Sequence, residues 1–173
     1  MIRLFTKTAI EKYFLAEKQE SLLFLVIGIT AVVASLVFFL AIKTSFYKGI
    51  AIPLLFVGLL LGIVGFTVYK RSDGDRIRNV YAYDMNPSVL KEKELPRMRA
   101  VMKNFVIYRY TEIILFLLGA GLFIYFTRSP GNAFWRGVGL GLAIMALLAL
   151  FGDYFGEKRG KRYKEGVESF VNK

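Results

Sequence analysis

Residues 69–104 read YKRSDGDRIRNVYAYDMNPSVLKEKELPRMRAVMKN. Nine of them are Lys or Arg: Lys70, Arg71, Arg76, Arg78, Lys91, Lys93, Arg97, Arg99 and Lys103. This polar stretch divides an otherwise apolar chain, with a pair of long apolar runs on either side. A bilayer core about 30 Å thick takes roughly 20 apolar residues in helix. Residues 21–42 and 50–69 carry no charge. Residues 113–127 are uncharged and reach spanning length when extended back to 106, and 133–152 carry only Arg136 near the start. The pattern predicts an all-α integral membrane protein. Its form is a four-transmembrane-helix bundle built from two tandem helical hairpins, with amphipathic cytoplasmic helices.

The basic residues set the expected orientation. Four lie before the first apolar run, nine in the middle stretch and six after the last run, against two in each short connection when Arg136 is counted with the second. Cytoplasmic segments are the Lys/Arg-rich ones. Both termini and the middle stretch are therefore expected in the cytoplasm, with the two hairpin tips outside, in a bacterial plasma (inner) membrane. The first apolar run is longer than a signal-peptide core and reads as an uncleaved span. The net charge of +11 flanks apolar runs, which points to anionic lipid headgroups and not to nucleic acid.

The chain contains no Cys and no His. Disulfides, thiol nucleophiles, Ser-His hydrolysis and His-ligated metals are thereby excluded. Asp73-Gly74 followed by Arg78 lacks the further aspartates that metal-assisted phosphotransfer requires, and Ser72-Asp73-Gly74-Asp75 reads as a charged turn. No catalytic residue, cofactor or metal site is assigned.

The halves resemble each other. Phe46-Tyr47-Lys48-Gly49 and Phe134-Trp135-Arg136-Gly137 match at an offset of 88, as do Lys70-Arg71 and Lys158-Arg159. Glu20 with Leu22 to Leu25 matches Glu112 with Ile114 to Leu117 at an offset of 92. Two copies of one unit follow as the expectation. Residues 1–71 form the first repeat (spans about 21–42 and 50–69), 72–94 a cytoplasmic linker, 95–159 the second repeat (spans about 106–127 and 133–152) and 160–173 a basic tail. Both copies enter from the same side, so the repeat is parallel and not inverted.

Ahead of the first span, Ile2, Phe5, Ala9 and Tyr13 share a helical face. They suit either a helix lying in the headgroup layer or a plain cytoplasmic extension. Leu95, Met98, Met102 and Phe105 form a comparable face before the third span, in a helix expected to start near Asn86 or Ser88. Gly58 with Gly62, and Gly137 with Gly141, have the spacing that lets membrane helices approach closely. Glu20 and Glu112 occupy equivalent places at the span edges. Arg109, one turn before Glu112, is the expected partner of that carboxylate, and the three form a candidate polar interface group. Arg76, Arg78, Arg97, Arg99 and Lys103 offer a cytoplasmic surface for a protein partner or for lipid.

With no catalytic pattern and few polar groups in the spans, the expected function is non-enzymatic. The protein would act by binding another protein, as an accessory, regulatory, assembly or toxin-neutralising partner. The alternative is a small oligomeric transporter or channel, with homo-oligomers supplying the walls.

Overall fold

The computed structural model describes residues 5–172, and among these there is no strand. Four long helices account for nearly all of them: α1 (Lys7–Ile42), α2 (Ser45–Met85), α3 (Pro87–Thr127) and α4 (Ala133–Val171). Each has 36 to 41 residues. At 1.5 Å per residue each is roughly 55–60 Å long, about twice the thickness of a bilayer core. All four are long and apolar enough to cross a membrane, and each overshoots it.

Local chemistry sets the ends. The Thr6 hydroxyl accepts the Ala9 N–H at 3.3 Å and caps α1. The last turn of α1 widens to π-type over Phe38–Ile42, and Lys43 closes it with φ of 59°, its N–H donating to the Phe38 carbonyl. Thr44 then caps α2. Asn86 leaves the helical region ahead of Pro87, and the fixed φ of Pro87 opens α3. A π-type widening at Leu90–Glu94 follows before α3 continues to Thr127. A single 3₁₀ turn, Pro130–Asn132, joins α3 to α4.

α1 packs along α2, α3 packs along α4, and the two pairs meet through α2 and α4. Glycine permits each close approach. A Cβ on Gly28 of α1 would stand 2.5 Å from the Gly62 nitrogen of α2, and one on Gly119 of α3 would stand 2.6 Å from the Ala143 nitrogen of α4. At the α2–α4 crossing, a Cβ on Gly49 would run into the Phe134 carbonyl and one on Gly137 into the Phe46 carbonyl.

The buried apolar core lies at one end of the bundle, outside the apolar runs. It consists of Phe5, Ile10, Tyr13, Phe14, Ala82, Leu90, Leu95, Met98, Tyr163 and Val167. The apolar runs themselves face outward. Only 6% of the most apolar window of α3 is buried, and Leu60, Ile63, Leu117 and Ile124 are all exposed. A protein in water buries such residues. Here the arrangement is reversed along most of each rod.

One expectation is corrected and two are refined. Ser72-Asp73-Gly74-Asp75 is not a turn but lies inside α2. Its acids are neutralised along the helix, Asp75 by Arg78 at 2.7 Å and Asp73 by Arg76 at 3.7 Å, while Ser72 donates to the Val68 carbonyl at 2.7 Å. The segment before the first span does not lie flat: α1 runs unbroken from Lys7, and its apolar face of Ile10, Tyr13 and Phe14 is covered by the other helices. Ile2, part of the expected face, lies outside the described residues. The basic tail is an integral part of α4, with Tyr163 and Val167 in the core.

Candidate functional site

The polar end of the bundle holds a buried network that joins all four helices. Glu94 of α3 is 2% exposed and receives three donors. Arg97, one turn on, gives it two bonds at 2.9 and 2.7 Å, and the Asn79 amide of α2 gives a third at 3.2 Å. Asn79, 1% exposed, also donates to the Asp75 carbonyl at 2.8 Å. Glu17 of α1 accepts from the Tyr13 hydroxyl at 3.2 Å and from Ser72 of α2 at 3.3 Å. Tyr13 and Tyr163 stack face to face, with ring centroids 4.0 Å apart and planes 6° from parallel.

Burial, then the neighbouring Glu17, pushes the Tyr13 phenol well above its ordinary pKa; burial and Glu94 do the same to Tyr163. Both rings stay neutral. Burial works against the Arg97 charge, but the hydrogen bonds it donates to Glu94, with the charge of that carboxylate, outweigh it and raise the guanidinium's pKa. Arg97 and Glu94 therefore form a charged pair held inside the bundle, with the remaining carboxylate capacity filled by Asn79.

Directly beside this network, toward the apolar runs, lies a cavity of 340 Å³ to which all four helices contribute. Its polar wall includes Glu17, Glu20, Arg71, Asn104, Asp153 and Arg159, and its apolar wall includes Phe24, Val64, Val68 and Phe105. The room for it comes from α4. A Cβ on Gly152 would meet the Phe24 ring at 2.9 Å, and one on Gly156 would meet the Phe105 ring at 3.1 Å. Glycines one turn apart thus give α4 a smooth floor, with aromatic rings from α1 and α3 resting on it. Arg159 bonds to Glu20 across the polar wall.

The expected polar group is rearranged. Glu20 pairs with Arg159, and Arg109 reaches across to Glu157 of α4 at 3.1 Å instead of to Glu112. Glu112 has an oxygen that is buried without a hydrogen-bond partner, and its neighbour is the Asp153 carboxyl. Helix geometry explains the change. Arg109 and Glu112 share a face, but α4 offers Arg109 a carboxylate directly opposite. Glu20 and Glu112, equivalent in sequence, therefore have different partners: a cation in one case, an acid in the other.

The glycine positions divide. Gly58 packs on Ala31 and Val32 of α1, and Gly141 on Pro53 and Ile50 of α2. Gly137 meets Phe46, while a Cβ on Gly62 would find open space. Of the expected basic surface, Arg99 is exposed and bonds to Glu168 at 3.0 Å, Arg78 is tied to Asp75, and Lys103 is exposed. Arg76 leans on Asp73, with its Nε buried and unpartnered. Arg97 belongs to the interior network and is withdrawn from that surface.

Asn79, Glu94, Asp153, Arg159 and Tyr163 escaped the sequence reading. A signal existed for residues that pack around them. Glu17 and Ser21 continue the buried stripe of Ile10, Tyr13 and Phe14 at helical spacing, and Gly152, Gly156 and Gly160 recur every fourth residue. The pairing of Asp153 with Glu112 depends on how α3 and α4 are turned, which spacing alone does not specify. A scan against protein-family models finds no match, and comparisons with curated proteins and with solved structures find no similar chain.

Proposed function

We propose that the protein is a polytopic membrane protein in which two related hairpins cross the bilayer, and that it works without catalysis by presenting its helical cytoplasmic end to a protein partner. The outward-facing apolar rods support the membrane setting, since only a lipid environment makes such exposure favourable. The excess of Lys and Arg at the core-bearing end supports a cytoplasmic placement of that end and of both termini, in a bacterial inner membrane. The duplication is supported by reciprocal contact: Gly49 meets Phe134 and Gly137 meets Phe46, each pair related to the other by the same offset of 88. The lipid-facing sides of the rods and the basic residues at their ends suit anionic headgroups.

The observation that favours a binding role over conduction is the fate of the polar groups in the apolar runs. Thr30 and Thr67 each bond to a carbonyl of their own helix at 2.8 Å, and Thr127 does so at 2.6 Å. Ser35 is used between helices, on the Ala51 carbonyl at 2.8 Å. These hydroxyls are occupied by backbone and do not line a hydrophilic path through one copy. The opposite end is a preformed four-helix platform with a buried polar network and exposed Lys91, Lys93, Arg99 and Lys103.

Affinity purification from native membranes in mild detergent tests this. Recovery of a second protein in fixed stoichiometry is the expected result. Recovery of a homo-oligomer alone, together with solute flux in proteoliposomes, would overturn it in favour of an oligomeric transporter. The partly polar cavity at one end of the spans is the observation on that side.

A further inference from the structure

We infer that the protein pairs with a second copy of itself through the outer face of α2 beyond the membrane, where Ile77, Tyr81 and Met85 form an exposed apolar stripe. The inference rests on the membrane setting proposed above but goes beyond the partner-binding role.

Position sets this stripe apart. Between Lys70 and Phe105 the exposed large apolar side chains are Ile77, Tyr81 and Met85, at 64%, 63% and 69%. They recur every fourth residue and so share one face of α2. The other faces of this stretch are covered. Ser72, Asp75, Asn79 and Ala82 are buried, and Tyr83 stacks on Phe170 of α4 with ring centroids 4.6 Å apart. Lipid does not explain the exposure. The apolar run of α2 ends at Tyr69, and at 1.5 Å per residue Ile77 stands about 12 Å and Met85 about 24 Å beyond it. The headgroup layer reaches only roughly 5–8 Å past the hydrocarbon. A contiguous apolar stripe bared to water at that height marks a contact surface.

A second copy fits this surface on two grounds. Copies inserted in one bilayer share depth and direction, so each presents the same stripe at the same height. A two-fold axis along the membrane normal then brings the two stripes side by side, each residue near its own counterpart. The charges at the edges supply the other ground. Asp73 and Asp84 border the stripe on the α1 side, where Lys18 and Lys7 hold them. Arg71 and Arg78 border it on the other side and share Asp75. The two-fold axis sets the arginine edge of one copy against the aspartate edge of the other, so unlike charges meet across the pair. The Asp73 and Asp84 side chains are still 45% and 42% exposed, and a carboxylate accepts more than one donor. Lys70, on the same face, lies at headgroup height, where anionic lipid offsets its charge.

The absence of cysteine makes the test direct. The full-length single variants Ile77→Cys, Tyr81→Cys and Met85→Cys would be oxidised in isolated native membranes with copper phenanthroline, beside Lys103→Cys at an exposed position of α3. Disulfide-linked dimers are expected at the three stripe positions and not at Lys103→Cys. Adding Tyr81→Glu to Met85→Cys is expected to lower the dimer yield about tenfold, because it sets two carboxylates against each other at the centre of the contact. Circular dichroism checks that this variant is folded, and Tyr81→Ser takes its place if it is not. In parallel, Tyr81→Cys carrying a benzophenone maleimide would be irradiated in the same membranes, with an adduct of two copies as the expected product. No disulfide dimer at the stripe, an equal yield at Lys103→Cys, or a yield that survives the Tyr81 substitution in folded protein would overturn the inference. So would a benzophenone adduct with lipid or with a different protein as the product. The last of these would support the partner-binding proposal while removing this one, and the membrane setting is read separately from the labelling described at the end of the Discussion.

Discussion

The Phe134 carbonyl of α4 occupies the position that a Cβ on Gly49 of α2 would take, and the Phe46 carbonyl bears the same relation to Gly137. Backbone oxygens cannot move aside as a side-chain tip can, so a methyl at either site forces the helices apart. Gly49→Ala and Gly137→Ala are each expected to destabilise the protein by about 1–3 kcal/mol, the usual range for overpacking. Gly62→Ala, which projects into open space, is expected to be neutral or stabilising. Thermal unfolding in a single detergent compares the three. Equal shifts for Gly49→Ala and Gly62→Ala would contradict this account of the α2–α4 crossing.

Gly74 makes the opposite case. It stands inside α2, where a Cβ would contact nothing, and its φ is in the ordinary helical range. Ala is better than Gly in a helix interior by about 0.5–1 kcal/mol. Gly74→Ala should therefore raise the unfolding midpoint. A lowered midpoint would mean that residues 72–75 form the turn that their composition suggests.

That error shows what the sequence could and could not convey. Four apolar helices were legible because charge-free runs of 20 or more residues have few other uses, and the start of α3 was legible because Pro87 cannot extend α2. The continuity of α2 through Ser72-Asp73-Gly74-Asp75 was hidden, since turn-forming residues are equally at home in a helix that neutralises them through Arg71, Arg76, Arg78 and Lys18. The polar core was hidden for a related reason. Glu94 and Asn79 look like solvated residues until a long helix carries them under Arg97 and Tyr163. Glycine spacing pointed to close packing, yet only contacts across helices separate Gly137, which is indispensable at a crossing, from Gly62, which is not.

Glu94 is the centre of that core, and removing it strands Arg97. Glu94→Ala should cost about 3–5 kcal/mol, the usual penalty for breaking a buried ion pair from one side. Replacing the pair together, as Glu94→Met with Arg97→Met, should cost less than Glu94→Ala alone, because no unpaired charge remains. The two unfolding curves, measured side by side, decide this. A double variant less stable than the single one would show that the pair contributes net stability and is not merely self-compensating.

Lys18 and Asp73 form an ion pair between α1 and α2 just beyond the apolar runs. The hydrogen bond from Lys18 holds the Asp73 carboxyl below its usual pKa, and the bond to Asp73 raises that of Lys18. At acid pH the native state thus binds fewer protons on Asp73 than the unfolded chain does. Its contribution is complete above the unfolded carboxyl value, about 3.9, and disappears as pH falls through the lower native value. For Lys18 the sign reverses: its contribution is complete below about 10.4 and is lost as pH rises through the native value. Asp73→Asn should therefore lower stability at pH 7 and leave it unchanged below the native titration of Asp73. Because both groups are solvent-accessible the effect should shrink in high salt. A stability deficit of the same size at pH 2 and pH 7 would rule out the pair as its origin.

The orientation proposed for the helices can be read without any functional assay, because the chain has no cysteine to give background labelling. Ser45→Cys and Asn132→Cys place a thiol at the two short connections, and Ser88→Cys and Asn172→Cys place one at the opposite end; all four positions are exposed. With the basic end in the cytoplasm, a membrane-impermeant maleimide added to intact cells should label the first two. It should reach Ser88→Cys and Asn172→Cys only after the membrane is opened. The charge asymmetry requires both connections to behave alike, since the middle stretch between them, residues 69–104, carries nine Lys or Arg residues and the chain would have to turn over to separate them. Labelling of Ser88→Cys in intact cells, with Ser45→Cys protected, would invert the topology and move the four-helix platform to the outside. Labelling of all four positions in intact cells would remove the membrane-spanning assignment altogether.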